Sequence, residues 1–180
     1  MNLWKSPITD RPIETEIRGL QTDDWQAYKT SRLRALKEAP TAYTSNYDDH
    51  LTMADSFFQD RSTFRPDNFI YGAWQDSDLV GSAGGYVEPD TKRSHIAHVV
   101  GVWVDPECRR QGIARALTIH VIDQLKSLPQ LSIIQIAATA TNKGAIDLYQ
   151  SLGFVQFGLE PQALQHDGQT YDEVQMAIAL

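Results

Sequence analysis

One stretch near the middle of the chain restricts the possible folds more than any other. The run Ile96–Val104 is rich in β-branched residues and predicts a long strand. After a short loop, apolar residues recur every three to four positions and predict an amphipathic helix; they are Ile113, Ala114, Leu117, Val121 and Leu125. A helix with one apolar face has to cover a sheet or another helix, so this strand–loop–helix unit predicts an α/β fold.

The other periodic segments extend the same architecture. Helices are predicted between Asp24 and Pro40, from about His50 to Gln59, and over Ala145–Leu152 with Gly153 as C-cap. Strands are predicted over Thr15–Arg18, Phe69–Trp74, Leu79–Val87, Leu131–Ala138, Phe154–Leu159 and Tyr171–Ala179. This order predicts a mixed, mostly antiparallel central sheet of about six or seven strands flanked by about four helices. Residues 1–13 have no periodicity and are expected to be a loose lead-in to a single domain spanning residues 1–180.

Composition excludes several classes of partner and site. The formal net charge of −7 argues against nucleic acid, because neutralising phosphates requires a basic surface. The single cysteine, Cys108, excludes an intrachain disulfide and a multi-cysteine metal site, and no metal is expected. No stretch approaches the roughly 20 apolar residues that cross a bilayer, and Met1–Arg11 has no apolar run of the signal-peptide type. The protein is therefore expected to be soluble and cytoplasmic, with no membrane partner.

The loop before the long helix has the features of an anion site. Free backbone N–H groups and the positive end of the helix dipole collect at a helix start, which suits a phosphate-bearing ligand. Gly112 has no side chain where a pyrophosphate would need close approach to the backbone, and Ala114 keeps a neighbouring position small. Positive charge comes from Arg109, Arg110 and Arg115. On these residues alone, an ordinary strand–turn–helix junction with basic surface residues is the alternative.

A second motif follows one predicted strand later. Asn142–Phe154 reads Asn-Lys-Gly-Ala-Ile-Asp-Leu-Tyr-Gln-Ser-Leu-Gly-Phe, and Arg109–Ala114 reads Arg-Arg-Gln-Gly-Ile-Ala. At this separation the pair resembles the two signatures of the GCN5-related N-acetyltransferase (GNAT) superfamily, an Arg/Gln-x-x-Gly-x-Gly/Ala loop and an Asn followed by Ala-x-x-Leu-Tyr-x-x-Leu-Gly-Phe. The resemblance covers about residues 98–154, and the other segments agree with it in element order only.

The resemblance implies an N-acetyltransferase that moves an acetyl group directly from acetyl-CoA to a primary amine of a small molecule or peptide. It implies that the backbone of β-strand residues Val102, Trp103 and Val104 pairs with the pantetheine arm. It also implies a pyrophosphate site formed by Arg109, Arg110, Gln111, Gly112, Ile113, Ala114 and Arg115.

Two further cofactor contacts follow from the second motif. The resemblance implies that Asn142 contacts the cofactor arm and that Tyr149 points at the sulfur, where a phenol can donate a proton to the leaving thiolate. The residues themselves leave two alternatives open: Asn142 is a plain N-cap, and Tyr149 is a packed aromatic residue of an apolar face.

The general base departs from the best-known family pattern. Histone-type members place a glutamate on the strand before the loop, and the matching position here is His98. An imidazole, with an ordinary pKa near 6.5, can accept a proton at neutral pH. Strand alternation places His98 on the same side as Val102 and Val104 unless a bulge intervenes. A strand histidine without a catalytic role is an equal alternative, and His95 and Glu88 are weaker candidates for the base.

The acceptor and the assembly are less constrained. An acidic run could form a rim that favours a cationic amine, because the family's first two helices border the acceptor site, or it could be a solvated face; its members are Glu38, Asp48, Asp49, Asp55 and Asp60. A non-catalytic acyl-CoA-binding or sensor domain on the same fold is the rival function, although such a domain could dispense with Tyr149. Cys108 is interpreted as incidental. A homodimer is compatible with the sequence.

Overall fold

A computed structural model of the protein describes residues 14–180; the lead-in predicted for residues 1–13 lies outside the described residues. The strands are β1 (Thr15–Gly19), β2 (Asn68–Gln75), β3 (Asp78–Val87), β4 (Ile96–Val104), β5 (Ile133–Thr139), β6 (Val155–His166) and β7 (Gln169–Ala179). The helices are α1 (Trp25–Glu38), α2 (Tyr47–Leu51), α3 (Asp55–Ser62), α4 (Ile113–Lys126) and α5 (Lys143–Ser151). The strands form one sheet in the order β1-β2-β3-β4-β5-β7-β6, in which only the β4–β5 pair is parallel. The predicted fold class is confirmed.

The helix count is one higher than predicted. The helix expected from about His50 to Gln59 is in fact two helices, α2 and α3, because the chain turns at residues 52–54. Asn46 caps α2 by accepting a hydrogen bond from the Asp48 amide (2.7 Å). The turn allows His50 and Phe58, whose rings lie 6.3 Å apart, to be buried together beneath α1. A single straight helix was therefore the wrong prediction for this segment.

Helices cover both faces of the sheet. Helix α4 packs its buried residues Leu117 and Val121 on one face, against Phe69, Ala97 and Val99 of the central strands. Helices α1 to α3 cover the opposite face, where the buried residues are Leu20, Tyr28, Phe58, Ile70 and Trp74. The long apolar stripe that predicted α4 is thus the contact surface of the larger core.

A bulge in β4 changes which side chains face which helices. The β3–β4 register shifts by one residue between Ser82 and Gly84, and Gly101 adopts the left-handed region with φ of 65°. Because one extra residue reverses the alternation, His98 faces the α1–α3 side, whereas Val102 and Val104 pack toward the α4 side. The expectation that His98 shares a side with Val102 and Val104 is therefore wrong, because it held only for a strand without a bulge.

Strands β4 and β5 separate soon after they meet. Their parallel pairing is confined to Ile96–His98 of β4 and Ile133–Gln135 of β5. From Val99 onward, β4 pairs with β3 on one side and has no strand partner among residues 14–180 on the other. The result is a wedge-shaped opening between two central strands, and the candidate site is built around it.

Candidate active site

The loop that follows β4 is held in place from its first residue. Asp105 accepts a hydrogen bond from the Glu107 amide (3.1 Å), which caps a short turn over Pro106–Cys108. The Arg34 guanidinium of α1 forms a two-pronged ion pair with the same carboxylate. Helix α1, which is distant in sequence, therefore fixes the start of the loop.

The backbone from Arg110 to Arg115 presents a row of free amides. None of these six N–H groups donates to an acceptor within the described part of the chain; the first helical bond of α4 runs from the Ala116 amide to the Gly112 carbonyl (3.0 Å). Arg110 (φ 62°) and Gly112 (φ 79°) are left-handed, and such alternation turns successive amides toward a common concave point. No side chain caps this helix start. Amides arranged in this way can bind the oxygens of a pyrophosphate.

Gly112 meets both requirements of its position. A side chain there would be strained at a φ of 79°, and no atom lies within 4 Å of where its Cβ would be, so the space above the amides is open. The neighbouring residues differ in burial: Arg110, Gln111 and Arg115 are exposed, whereas Ile113 is buried in the core. Ile113 and the half-buried Ala114 can therefore offer a ligand only their amides.

Arg109 and the end of β4 are linked by a hydrogen bond. The Arg109 Nε donates to the Val104 carbonyl oxygen (3.0 Å), which folds this side chain back over the strand. Trp103 is buried, with the Arg34 guanidinium 5.8 Å from its ring centroid. The side chains of Trp103 and Val104 are therefore part of the packing, and only their backbone is available to a ligand.

A tyrosine that the sequence motifs did not indicate occupies the opening between β4 and β5. The Tyr43 hydroxyl donates to the Val102 carbonyl oxygen (3.3 Å), and burial raises the pKa of Tyr43 to about 12. The Thr139 hydroxyl of β5 donates to the Thr41 carbonyl oxygen, so this segment bridges both strands. Residues 41–43 thus touch the β4 backbone at the position assigned by resemblance to the pantetheine arm. A carbonyl oxygen can accept a second hydrogen bond, so Tyr43 does not exclude that arm.

Tyr149 projects from α5 toward the same opening. It is 6% exposed and packs edge-on against Phe154, with ring centroids 6.1 Å apart. Burial raises the pKa of the Tyr149 phenol above its ordinary value of 10.0, and the nearby phenol of Tyr43 raises it further. No other group of residues 14–180 forms a hydrogen bond with this hydroxyl. Tyr149 therefore stays protonated at neutral pH and has a proton to donate.

Asn142 is the N-cap of α5. Its side-chain oxygen accepts a hydrogen bond from the Ala145 amide (3.2 Å), and the residue is exposed. This is the role that its sequence context predicts without any ligand. The oxygen is used for the cap, so a cofactor contact would fall to the NH₂ group.

His98 lies at the base of the opening, where β4 and β5 still pair. Its Nε2 is 2.8 Å from Glu88 Oε1, and its ring stacks on Tyr86 at a centroid distance of 4.8 Å. Hydrogen bonds from Arg93 and then from His98 lower the pKa of Glu88, so this carboxylate stays ionised and orients the imidazole. Glu88 is therefore a partner of His98 rather than a free base, and His95 is exposed, outside the cavity.

A cavity of about 840 Å³ extends from His98 to Tyr43 between the sheet and helices α1–α3. Its lining includes four polar side chains that sequence motifs did not indicate: Arg32, His50, Arg61 and Glu173. Burial raises the pKa of Glu173, and the charge of Glu160 on the neighbouring strand adds to this shift. These residues come from separate elements and no short motif contains them, which is why sequence analysis missed them.

The acidic run of the first helices does not line this cavity. Within the described chain, Glu38 pairs with Arg34, Asp55 with Lys29, and Asp60 with Arg65. Asp48 and Asp49 lie in the first turn of α2, where negative charge favours the helix. None of these five residues lines the cavity, which favours the alternative, a solvated acidic face on which three of them are paired.

The lone cysteine, the candidate metal ligands and the helices are other possible sources of function. Burial raises the pKa of the Cys108 thiol, and the charges of Asp105 and Glu107 add to that shift, so the thiol is not activated. The described residues contain no group of three His, Cys, Asp or Glu side chains that could hold a metal ion. No helix in residues 14–180 is long and apolar enough to cross a membrane.

Comparisons with known proteins agree with this geometry. A GNAT-family acetyltransferase from Streptococcus pneumoniae shares the fold, with a TM-score of 0.78, 18% identity, and coverage of 93% of this chain and 100% of that chain. The yncA protein of Salmonella typhimurium, solved with its cofactor acetyl-CoA, gives a TM-score of 0.76 and 18% identity over 93% and 94% of the two chains. Ribosomal-protein-alanine N-acetyltransferase from Brucella melitensis gives 0.75 and 21% over 92% and 99%.

No curated protein sequence matches the chain. The sequence profile described as Acetyltransferase (GNAT) family matches residues 31–154, more than half of the chain, and this stretch contains the amide row, the β4–β5 opening and Tyr149. The protein therefore belongs to the acetyltransferase (GNAT) family.

Proposed function

We propose that the chain, acting as one domain over residues 1–180, is an N-acetyltransferase that transfers the acetyl group of acetyl-CoA to a primary amine of a small molecule or peptide. The observation that carries the proposal is the row of amides from Arg110 to Arg115, which have no partner among the described residues and directly follow a strand whose β5-facing edge has no strand partner after His98. Anion-binding amides beside an open strand fit a ligand with a pyrophosphate and an amide-containing arm. Acetyl-CoA, when bound, supplies the acetyl thioester and departs as the free thiol.

The chain's own residues divide this work. The amides around Gly112 bind phosphate oxygens, and the backbone of Val102 and Val104 can pair with the amide-bearing arm. Tyr149 keeps its proton at neutral pH because its pKa is raised, and it donates that proton to the sulfur as the carbon–sulfur bond breaks. The Asn142 NH₂ group is free to bond the arm, because only the oxygen serves the cap.

The amine must lose a proton when its nitrogen attacks. Removing a proton from a lysine-like amine at pH 7 costs roughly 4.6 kcal/mol, and from an α-amine about 1 kcal/mol, so the need for a base depends on the acceptor. His98 is the proposed base, acting through water in the cavity, because four residues of strand, about 13 Å, separate it from Val102. Glu173 is the second candidate. It faces Thr139 across the β5–β7 pair and so lies nearer the opening.

The experiment is a thiol-release assay with acetyl-CoA and a panel of primary amines. We expect release that depends on the amine and a matching mass increase of the acetylated product. Tight acetyl-CoA binding without release for any amine would replace this proposal with the non-catalytic acyl-CoA-binding or sensor function. Absence of acetyl-CoA binding would remove both.

We also propose that the protein is cytoplasmic and forms a homodimer. Support for the dimer comes from β6, an edge strand of the described sheet that exposes Val155, Phe157 and Leu159, at 70%, 56% and 53%. An edge strand with exposed apolar side chains is prone to pair with another chain, and a second copy offers the same strand in self-complementary form.

A further inference from the structure

The helical wall of the cavity holds two guanidinium groups without counter-charges. Arg32 from α1 and Arg61 from α3 both line the cavity. No carboxylate in residues 14–180 forms an ion pair with either one, and Arg61 makes only a long hydrogen bond to Asn68 Oδ1 (3.4 Å). Buried or half-buried charges are normally paired, so this arrangement requires a reason.

Two neighbouring cations on or beside these helices have the acidic partners that Arg32 and Arg61 lack. Lys29 lies one turn before Arg32 on α1 and pairs with Asp55, and Arg65, just beyond the end of α3, pairs with Asp60 of that helix. Acidic residues are therefore available on these helices, but they form ion pairs with cations outside the cavity. The guanidinium groups that face the cavity therefore give this wall a positive charge that no carboxylate of the described chain neutralises.

A third nitrogen group on this wall also lacks a partner. His50 of α2 is 8% exposed, lines the cavity, and its Nδ1 makes no hydrogen bond within the described chain. Burial lowers the pKa of His50, and the charges of Arg32 and Arg61 lower it further, while the charge of Asp49 partly opposes them. Burial is also the main cause that lowers the pKa of Arg32. The two guanidinium groups and the imidazole thus face the same cavity, where an anion would give both guanidinium groups a counter-charge and could accept a hydrogen bond from the imidazole.

We propose that the acceptor, given the acetyltransferase function proposed above, is a small amine that also carries a carboxylate or another oxyanion, and that Arg32 and Arg61 bind this anionic group. Guanidinium groups match carboxylates and phosphate-like groups with two parallel hydrogen bonds. The position fits the reaction. Arg32 stacks on the Tyr43 ring (4.6 Å to the centroid), and Tyr43 reaches Val102, so an anion held at this wall leaves the amine near the opening.

The acidic side of the cavity is consistent with the same acceptor. Glu173 on β7 is the one acidic side chain among the described residues of the lining. An acceptor with an amine at one end and an oxyanion at the other would thus meet one carboxyl group and the two guanidinium groups of the lining that have no ion pair in the described chain, since the third, Arg93, is paired with Glu88. A purely cationic polyamine would meet two like charges instead, which disfavours it.

The test compares matched acceptors in the thiol-release assay: amino acids, their carboxamides, and aminoalkylphosphonates. We expect kcat/KM to be at least about tenfold higher for the carboxylate or the phosphonate than for the matched neutral amide. In R32Q and R61Q this preference should fall by about 10- to 100-fold, mainly through KM. Arg32→Lys, which keeps the charge but not the fork, should retain an intermediate preference. The control variants R65Q and K29Q remove paired cations outside the cavity and should keep the full preference.

A second readout separates this inference from the proposed function. Calorimetric titration of the same acceptors into the CoA-loaded protein measures the contribution of the anion to affinity even if no thiol is released, and thermal melting verifies that each variant is folded. Preference for the carboxylate or for the phosphonate identifies which oxyanion the wall selects, and either result supports the inference. Equal binding and equal turnover of charged and neutral members, or a preference that survives in both R32Q and R61Q, would overturn it while leaving the acetyltransferase function intact.

Discussion

The two ends of the active site are built by opposite means. At the loop end, the binding groups are backbone amides from one continuous segment, Arg110–Arg115, and none of them donates to an acceptor within the described chain. At the cavity end, the groups are side chains from helices α1, α2 and α3 and from six strands, β2 to β7, and most are buried or half-buried. A backbone site depends on local conformation, whereas a side-chain site depends on tertiary packing. The first can stay the same while the second is rebuilt for a different acceptor.

The largest expected effect is a loss of acetyl-CoA affinity that is confined to the loop end of the site. Gly112→Asp places a side chain at a φ of 79° and a negative charge against the amides, so we expect acetyl-CoA affinity to fall by at least about 100-fold. Calorimetry measures the loss. Gly168→Asp is the matched control, because Gly168 has a similar φ of 76° and equally open surroundings in the β6–β7 turn. Unchanged acetyl-CoA affinity in the Gly112 variant would remove the pyrophosphate assignment.

Tyr149 lies between the two ends, and its loss should affect chemistry rather than binding. Tyr149→Phe keeps the contact with Phe154 and deletes the proton donor, so we expect turnover to fall about 10- to 1,000-fold with nearly constant acetyl-CoA affinity. Steady-state kinetics and calorimetry together make this measurement. Tyr71→Phe, at a half-buried tyrosine that packs against Phe64 and Phe69, is the control. Wild-type turnover in Tyr149→Phe would make this residue a packing group only.

The third experiment decides between the two bases at the cavity end. If His98 is the base, turnover of wild type should fall on the acid side of the pH profile, because only the neutral ring accepts a proton. His98→Ala should remove that limb and lower neutral-pH turnover about 10- to 100-fold, with recovery at higher pH as the amine deprotonates unaided. A constant loss at every pH would make His98 a positioning residue.

Glu173→Gln tests the rival base by the same measurement. The pKa of Glu173 is raised by burial, so its base form is fully present above that raised value and is lost as pH falls through it. If Glu173 is the base, its variant rather than His98→Ala should lose the acid limb. Retention of the limb in both variants would assign proton removal to water.

The smallest expected effect follows from disrupting the dimer, which should change acceptor binding at the cavity end and leave the loop end unaffected. Leu159→Lys introduces a charge into the exposed apolar part of β6, so we expect the dimer to dissociate in sedimentation experiments. Phe157, on the same strand, lines the cavity, so acceptor KM should change about two- to fivefold while acetyl-CoA affinity stays constant. A monomeric wild-type protein at the same concentration would contradict the proposed dimer.

The sequence predicted the fold and the loop well because both are local. The apolar repeat of α4, the strand Ile96–Val104 and the Gly112 loop each follow from neighbouring residues, and the structure reproduces them. The bulge at Gly101 could not be predicted, since a glycine in a strand does not reveal which register its partner strand adopts. Arg32 and Arg61 likewise gave no signal, because only tertiary packing turns them toward one cavity and away from the acids beside them in the chain.

Tyr43 contacts both the β4 backbone at the loop end and the helical wall at the cavity end. Its hydroxyl donates to Val102, and the Arg32 guanidinium lies over its ring. Any shift of this ring on the arrival of one substrate alters the surroundings of the other. Such coupling is a free energy shared by two sites, and it is reciprocal. The factor by which acetyl-CoA changes the affinity for the acceptor must equal the factor by which the acceptor changes the affinity for acetyl-CoA. In the proposed acetyltransferase, this one aromatic side chain would thereby link the two substrates thermodynamically before any bond is made or broken.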